Sequence, residues 1–390
     1  MHRIAIHNLK IAALVLSLGA ALAQGQTQTK GYMVGYFGSW NAWGGYRASN
    51  VPWDKLTHVI FSFLTPGAGG SFTDFDGTEK AELPNIVSQA HAKGVKVLVS
   101  AGGINGSAGY AALAANAGAR ATFASSLRTY VDNNNLDGVD IDWEFPSSAT
   151  DSTNYAAMIK EIRAKMSGKL LTAALAPDNL KGQFIPKSAL LIFDFCNIMA
   201  FDYTGAFPGS LVGQHSTLIH AKNGLQYWKA RGLVKDKCVI GIPQYGKNFN
   251  AGGADMAYNT IVSSYPGLAA NVDETNKIFF NGPGTVKDKA TYVAQNVYAG
   301  CMFWELSQDR SSALISAAKE GLKATPTSVL PVLSYRQGRS GGASHLSLTG
   351  LALLPSGLRD ALGRVPSPSQ ASAAGNFYLP AGISDQNTPR

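Results

Sequence analysis

DGVDIDWE, residues 137–144, alternates acidic and apolar side chains. Successive side chains of an extended strand point to opposite faces, so Asp140, Asp142 and Glu144 share one face while Val139, Ile141 and Trp143 share the other. Around this stretch, between Lys30 and Lys323, short apolar, β-branched or aromatic runs recur at residues 32–40, 56–64, 95–103, 136–144, 170–177, 195–203, 238–246 and 300–308. Helical patterns fill most of the gaps. AELPNIVSQAHAKG places Leu83, Ile86, Val87 and Ala90 on one face and stops at Gly94, and NYAAMIKEIRAKM spaces Tyr155, Met158, Ile159 and Ile162 for one apolar stripe.

Alternating strands and helices require a parallel sheet, and eight such units over roughly 300 residues match an α/β architecture, the closed (β/α)8 TIM barrel. An open doubly wound sheet is the rival. Its support would be a phosphate loop, but Gly102, Gly103, Gly106 and Gly109 after the third run form neither G-x-G-x-x-G nor G-x-x-x-x-G-K. They read as a tight turn. A closed barrel has no edge strand on which an acidic face could be solvated, so the three acids point into the barrel and the apolar face meets the helices. Carboxyls stacked on one buried face cannot all ionise, and a shared proton raises the proton affinity of at least one. Glu144 comes last, at the C-terminal rim where barrel active sites form, and a protonated carboxyl there suits a general acid.

The ends of the chain differ from this body. Arg3 and Lys10, the apolar stretch Ile11–Leu22, and Ala21 and Ala23 before Gln24 read as a secretory signal peptide, residues 1–23, too short to span a bilayer. The barrel is assigned to residues 30–324. Residues 325–390, rich in Ser, Gly, Pro and Ala, are expected to be an unstructured tail. Of the formal net charge of +8, +2 lies in the leader and +3 in the tail, which leaves only +3 for the body, without a basic stripe, and sets nucleic acid aside. No stable membrane anchor is expected and the chain reads as a monomer. Cys196, Cys238 and Cys301 are too few for a disulfide scaffold and read as buried thiols, with a Cys238–Cys301 bond left open. No H-E-x-x-H or clustered Cys/His spacing argues for a metal, and no cofactor is expected.

DGVDIDWE resembles the D-x-x-D-x-D-x-E signature of family 18 glycoside hydrolases, the chitinase family. Further resemblance lies in SAGG (100–103), IMAFDYTGAF (198–207), GIPQYG (241–246) and GCMFWELSQD (300–309), and covers residues 30–323. It implies a secreted, endo-acting chitinase working on chitin or N-acetylglucosamine oligomers by a substrate-assisted retaining mechanism, an exception to the two-carboxylate scheme. Glu144 would be the general acid and later the base; the substrate's 2-acetamido oxygen would be the nucleophile; Asp142 would stabilise the charge developing on the acetamido nitrogen, and Asp140 would share a proton with it. Trp304 would floor the reacting sugar, with Met199, Asp202, Tyr203, Tyr36 and Tyr245 near strand ends as substrate-binding residues, and Trp40 and Trp43 stacking further sugars or simply packing their loop. Phe201 stands where the family pattern has tyrosine, which removes a hydroxyl from the acetamido pocket. The 247–299 segment looks too short for the full α+β insertion of some members, which implies an open cleft. Competing readings are a sugar-binding lectin, which would be expected to lose the acid, an enzyme for N-linked or peptidoglycan-type glycans, and a nucleotide enzyme, which lacks its fingerprint.

Overall fold

All eight apolar runs pair as parallel strands: β1 (Tyr32–Gly38), β2 (His58–Pro66), β3 (Lys96–Gly102), β4 (Gly138–Asp142), β5 (Leu170–Leu175), β6 (Phe195–Ile198), β7 (Cys238–Pro243) and β8 (Gly300–Trp304). Each strand bonds its sequence neighbours, and β8 returns to β1 with Tyr32 opposite Gly300, so the sheet closes. This is the (β/α)8 barrel. The computed structural model describes residues 28–326, 329–334 and 347–353.

Two apolar layers follow from the alternation along the strands. Val34, Tyr36, Ile60, Leu98, Phe195, Val239 and Met302 fill the barrel interior. Outside, Val139, Ile141 and Trp143 pack with Leu83, Ile86, Val87 and Ala90 of helix α1 (Gly77–Ala92) and with Tyr155, Met158, Ile159 and Ile162 of helix α2 (Ala149–Lys165). Both stripes are those read from sequence. Asp76 caps α1 by accepting from the Glu79 backbone, Ser148 caps α2 by accepting from Asp151, and Gly94 leaves α1 at φ +71°.

The strands are shorter than the runs that encode them. β4 stops at Asp142: the Asp142 carbonyl makes the last rung with β3, accepting from the Gly103 N–H at 2.8 Å, after which the Glu144 N–H donates to Ser107 Oγ at 2.8 Å and not to a neighbouring strand. Glu144 therefore stands on the loop beyond the strand, not at its last position. β6 likewise ends at Ile198, so Met199 to Tyr203 lie past it.

Between β7 and β8 the chain builds a four-stranded antiparallel sheet, in the order Ala254–Ala257, Tyr245–Asn248, Ile278–Phe279, Glu274–Thr275, with one helix, Tyr258–Ser264. Its strands are two to four residues long, so the insertion is an abbreviated α+β unit. All three cysteines are free and buried. Cys238 lies opposite Cys196, while Cys301 lies opposite Ile240, so the pairing left open between Cys238 and Cys301 is not formed.

Thr27–Pro326 is one compact unit, and Val329–Ser334 and Ser347–Leu353 belong to a second. In that second unit Val329–Ser334 pairs antiparallel with Ser347–Leu353, two short strands within a segment whose composition reads as mostly unstructured. The leader, residues 1–23, and the rest of the tail lie outside the described residues. Among the described residues no helix is long and apolar enough to cross a membrane.

Candidate active site

Asp140 is fully buried at the middle of β4, and its neighbours in the ladder supply what a buried carboxylate needs. Ser100 on β3 and Thr172 on β5 are its register partners. Ser100 Oγ donates to Oδ2 at 2.8 Å, Thr172 Oγ1 to Oδ1 at 2.6 Å, and Tyr36 Oη to Oδ2 at 2.9 Å. Asn197 Nδ2 donates to the Tyr36 hydroxyl at 3.3 Å and completes the chain. Burial pushes the Asp140 carboxyl up, and these donors hold the rise back. Tyr36 is 1% exposed, so its hydroxyl supports Asp140 from beneath instead of lining an open subsite, as its place near a strand end had suggested.

Two residues on, Asp142 has no such support. Its Oδ1 is buried without a hydrogen-bond partner, and burial, then the charges of Glu144 and Asp140, push its carboxyl well above the usual range. Glu144 is raised to about 7, mainly by burial; Lys181 opposes the rise and Asp202 adds to it. The acids thus grade from a heavily hydrogen-bonded Asp140, through an unsatisfied Asp142, to a rim carboxyl poised to carry a proton near neutrality. Ser107, which accepts from the Glu144 N–H, donates to the Gly103 carbonyl at 2.8 Å and fixes the loop under the acid.

Beyond β6, Asp202 takes φ +60° and turns its carboxylate toward the insertion. Tyr245 Oη and Lys247 Nζ each lie 2.7 Å from its Oδ1, and His215 Nδ1 lies at 3.4 Å. Burial pushes Asp202 up, but His215, Lys247 and Tyr245 outweigh it and bring the carboxyl to about 2. Asp202 stays ionised while Glu144 is protonated. Phe201 turns into the barrel interior, with its ring 6.3 Å from that of Tyr245 in a T-shaped contact, and Met199 packs against the same cluster. Tyr203 leaves this group: its ring stacks on His220 at 3.9 Å and its hydroxyl donates to the Pro177 carbonyl.

Trp304, at the end of β8, has its ring 5.5 Å from Tyr36, 5.7 Å from Phe63 and 6.2 Å from Trp40. The partly exposed ring forms an aromatic floor that continues to the exposed Trp40; Trp43 is exposed further along the same loop. Glu79 anchors that loop by accepting from Ser39 Oγ and Trp43 Nε1. An aromatic face of this kind suits the C–H face of a pyranose ring.

Sequence reasoning passed over Ser100, Thr172, Asn197, Ser107, Lys181, Phe63, His215 and Lys247. Ser100, Thr172 and Asn197 had a signal, since each interrupts an apolar run that should be continuous in a parallel strand. Ser107, Lys181, His215 and Lys247 come from loops and the insertion, whose approach to the rim only folding sets. Asp137, the first acid of DGVDIDWE, stands apart at the other end of β4. There it accepts from the Val97 N–H, Lys96 and His91, each at 2.8 Å, and ties β3 to β4. Among the described residues no group of three or more His, Cys, Asp or Glu side chains is placed to hold a metal ion.

A barrel whose rim carries a protonated carboxyl, a buried acidic pair behind it and an aromatic floor defines a glycosidase. Residues 32–309 match the family model for glycosyl hydrolases family 18, and the chain belongs to that family. It is 26% identical over 358 residues to Chitinase 1 of Aphanocladium album, covering 74% of this chain and 84% of that one. It is 32% identical over 270 residues to the "Probable endochitinase" of Caenorhabditis elegans, covering 59% of this chain but only 43% of that one. Among solved structures, the GH18 chitinase ChiB from the chitin utilization locus of Flavobacterium johnsoniae superposes with a TM-score of 0.66 at 28% identity, over 76% of this chain and 94% of that one. The chain is a chitinase-type glycoside hydrolase.

Proposed function

We propose that the protein is a secreted chitinase that cleaves β-1,4 bonds between N-acetylglucosamine units by substrate-assisted retention, with Glu144 as its general acid and base. The observation that carries this reading is the contrast between the end of β4 and the loop just past it: Glu144 raised to about 7 at the rim, beside an Asp142 whose buried Oδ1 has no partner. Glu144 protonates the departing glycosidic oxygen. The sugar's own acetamido oxygen closes on the anomeric carbon, and Asp142, sharing its proton with Asp140, meets the charge that develops on the acetamido nitrogen. Glu144, now ionised, takes a proton from the water that opens the ring. Asp202 and Trp304 border the reacting sugar, and the buried Tyr245 supports Asp202 from behind.

Hydrolysis of defined N-acetylglucosamine oligomers and of a glycoprotein by the wild type and Glu144→Gln tests the reading. Full activity in the variant overturns the acid, and cleavage of glycoprotein alone overturns the substrate. Phe201 bears on the rate. The family tyrosine would offer its hydroxyl to the acetamido group, a bond to a developing charge worth about 1.5–3 kcal/mol. Phe201→Tyr is therefore expected to raise kcat on acetylated oligomers by about tenfold; unchanged turnover would overturn the assignment of that position. Export rests on the leader read from sequence. N-terminal sequencing of protein recovered outside an expressing cell is expected to begin at Gln24, and retention of residues 1–23 would sink that reading.

A further inference from the structure

Lys289 is a buried charge that the proposed chemistry does not use. It lies on the inward face of helix Pro283–Gln295 with Val286, Ala290 and Val293 and is 1% exposed. An ammonium there has lost its water, so each of its protons needs an acceptor. Its Nζ donates to the Ser216 carbonyl at 2.8 Å, to Ser216 Oγ at 2.7 Å and to Asn281 Oδ1 at 2.6 Å. Asn281 Nδ2 donates to the same Ser216 carbonyl at 2.8 Å. All three acceptors are neutral, and Ser216 and Asn281 are themselves buried.

The next link reaches the active site. Ser216 Oγ spends its own proton on the Ala200 carbonyl at 2.6 Å, one residue before Phe201 and Asp202. His215, one residue before Ser216, has its Nδ1 3.4 Å from Asp202 Oδ1 and its Nε2 3.3 Å from the Tyr245 carbonyl, and its own carbonyl accepts from the Tyr203 N–H. Because β6 ends at Ile198, no strand pairing holds residues 200–203. We infer that Lys289 is a positioning residue for the reaction: through Ser216 it holds the Ala200 carbonyl, and with it the chain that presents Phe201 and Asp202 to the sugar. The inference rests on Asp202 bordering the reacting sugar, as proposed above.

The brace depends on charge. A neutral amine keeps only two protons for three acceptors, so the brace loosens when Lys289 loses its proton. Burial lowers the ammonium to about 7, against the opposing influence of Asp273 and of Cys301 on β8. On the other side it faces His215 and His220, both kept from charging by burial first and by Lys289 in part. The alkaline fall in kcat/KM then contains two deprotonations, of Glu144 and of Lys289.

The test measures kcat and KM against pH on N-acetylglucosamine tetramer for the wild type, Ser216→Ala, Lys289→Met and Asn281→Asp. Ser216→Ala, which keeps the fold and removes one hydroxyl, is expected to lower kcat by about tenfold, as a misplaced binding group would. Lys289→Met should do so more severely if it folds. Asn281→Asp gives the ammonium a carboxylate partner and is expected to halve the steepness of the alkaline limb, from two protons to one. Wild-type kcat in Ser216→Ala together with an unaltered limb in Asn281→Asp overturns the inference and leaves Lys289 a packing element. A wild type inactive on every oligomer overturns the functional reading and this inference with it.

Discussion

Glu144→Gln is expected to lose activity on N-acetylglucosamine oligomers by about a thousandfold, the scale of a general acid's contribution, and to gain stability relative to the wild type as pH rises. The amide has nearly the shape of the acid but no proton to give. Stability moves the other way because burial raises Glu144 to about 7, from an ordinary value near 4.5. The folded chain holds that proton more tightly than the unfolded chain does. Its contribution is therefore whole below the ordinary value, and it is lost as pH climbs through 4.5 to about 7. Glutamine never ionises, so the variant escapes a cost of up to about 3 kcal/mol above neutrality. Thermal unfolding should give matching midpoints at about pH 4 and a midpoint several degrees higher for the variant at about pH 8. Parallel profiles across that range would mean that Glu144 is not the buried acid of this site.

Gly102→Ala is expected to cost about 3–5 kcal/mol and to abolish most activity, although the residue carries no chemistry. Gly102 sits at φ +116°, where an L side chain is strained, and a Cβ built on it would lie 2.0 Å from the Asp142 carbonyl oxygen and 3.0 Å from the Tyr110 ring. That carbonyl is the one that accepts from the Gly103 N–H and, at 3.2 Å, from Ser107 Oγ. Relief of the clash must push β4 away from β3, and the displacement passes directly to Asp142 and Glu144. Gly69→Ala is the control, since nothing lies within 4 Å of a Cβ there and its φ needs no glycine. Denaturant unfolding with single turnover on oligomers separates the outcomes: stability and activity fall together for Gly102→Ala, and neither changes for Gly69→Ala. A Gly102→Ala enzyme with wild-type stability would refute the close approach of the two strands.

The barrel was legible because its evidence is local and repeats. Eight apolar runs, the stripe of Tyr155, Met158, Ile159 and Ile162, and the acidic alternation of Asp140, Asp142 and Glu144 each follow from a period of 2 or 3.6. Boundaries were less legible. Nothing local says that β4 stops at Asp142, since the group that takes the Glu144 N–H out of the ladder is Ser107, brought from the loop after another strand. The insertion was legible by length, which said that 247–299 is too short for the full α+β unit, but its own strands of only two to four residues were not. The tail composition pointed to a mostly unstructured segment, and within it Val329–Ser334 and Ser347–Leu353 pair antiparallel.

What the amino-acid order alone determined is the fold class and the inward direction of the acidic face, with Glu144 as the candidate acid, because strand geometry converts spacing into direction without reference to the rest of the chain. Only the tertiary structure decided which acid is stabilised and which is left wanting. Ser100, Thr172 and Tyr36 converge on Asp140 from three strands, whereas Asp142 receives no partner for its Oδ1. Proton affinity inside a protein depends on burial and on donors brought from distant positions. Five residues at the end of β4 and the start of its exit loop therefore hold one supported carboxylate, one unsatisfied acid and one rim acid raised to about 7.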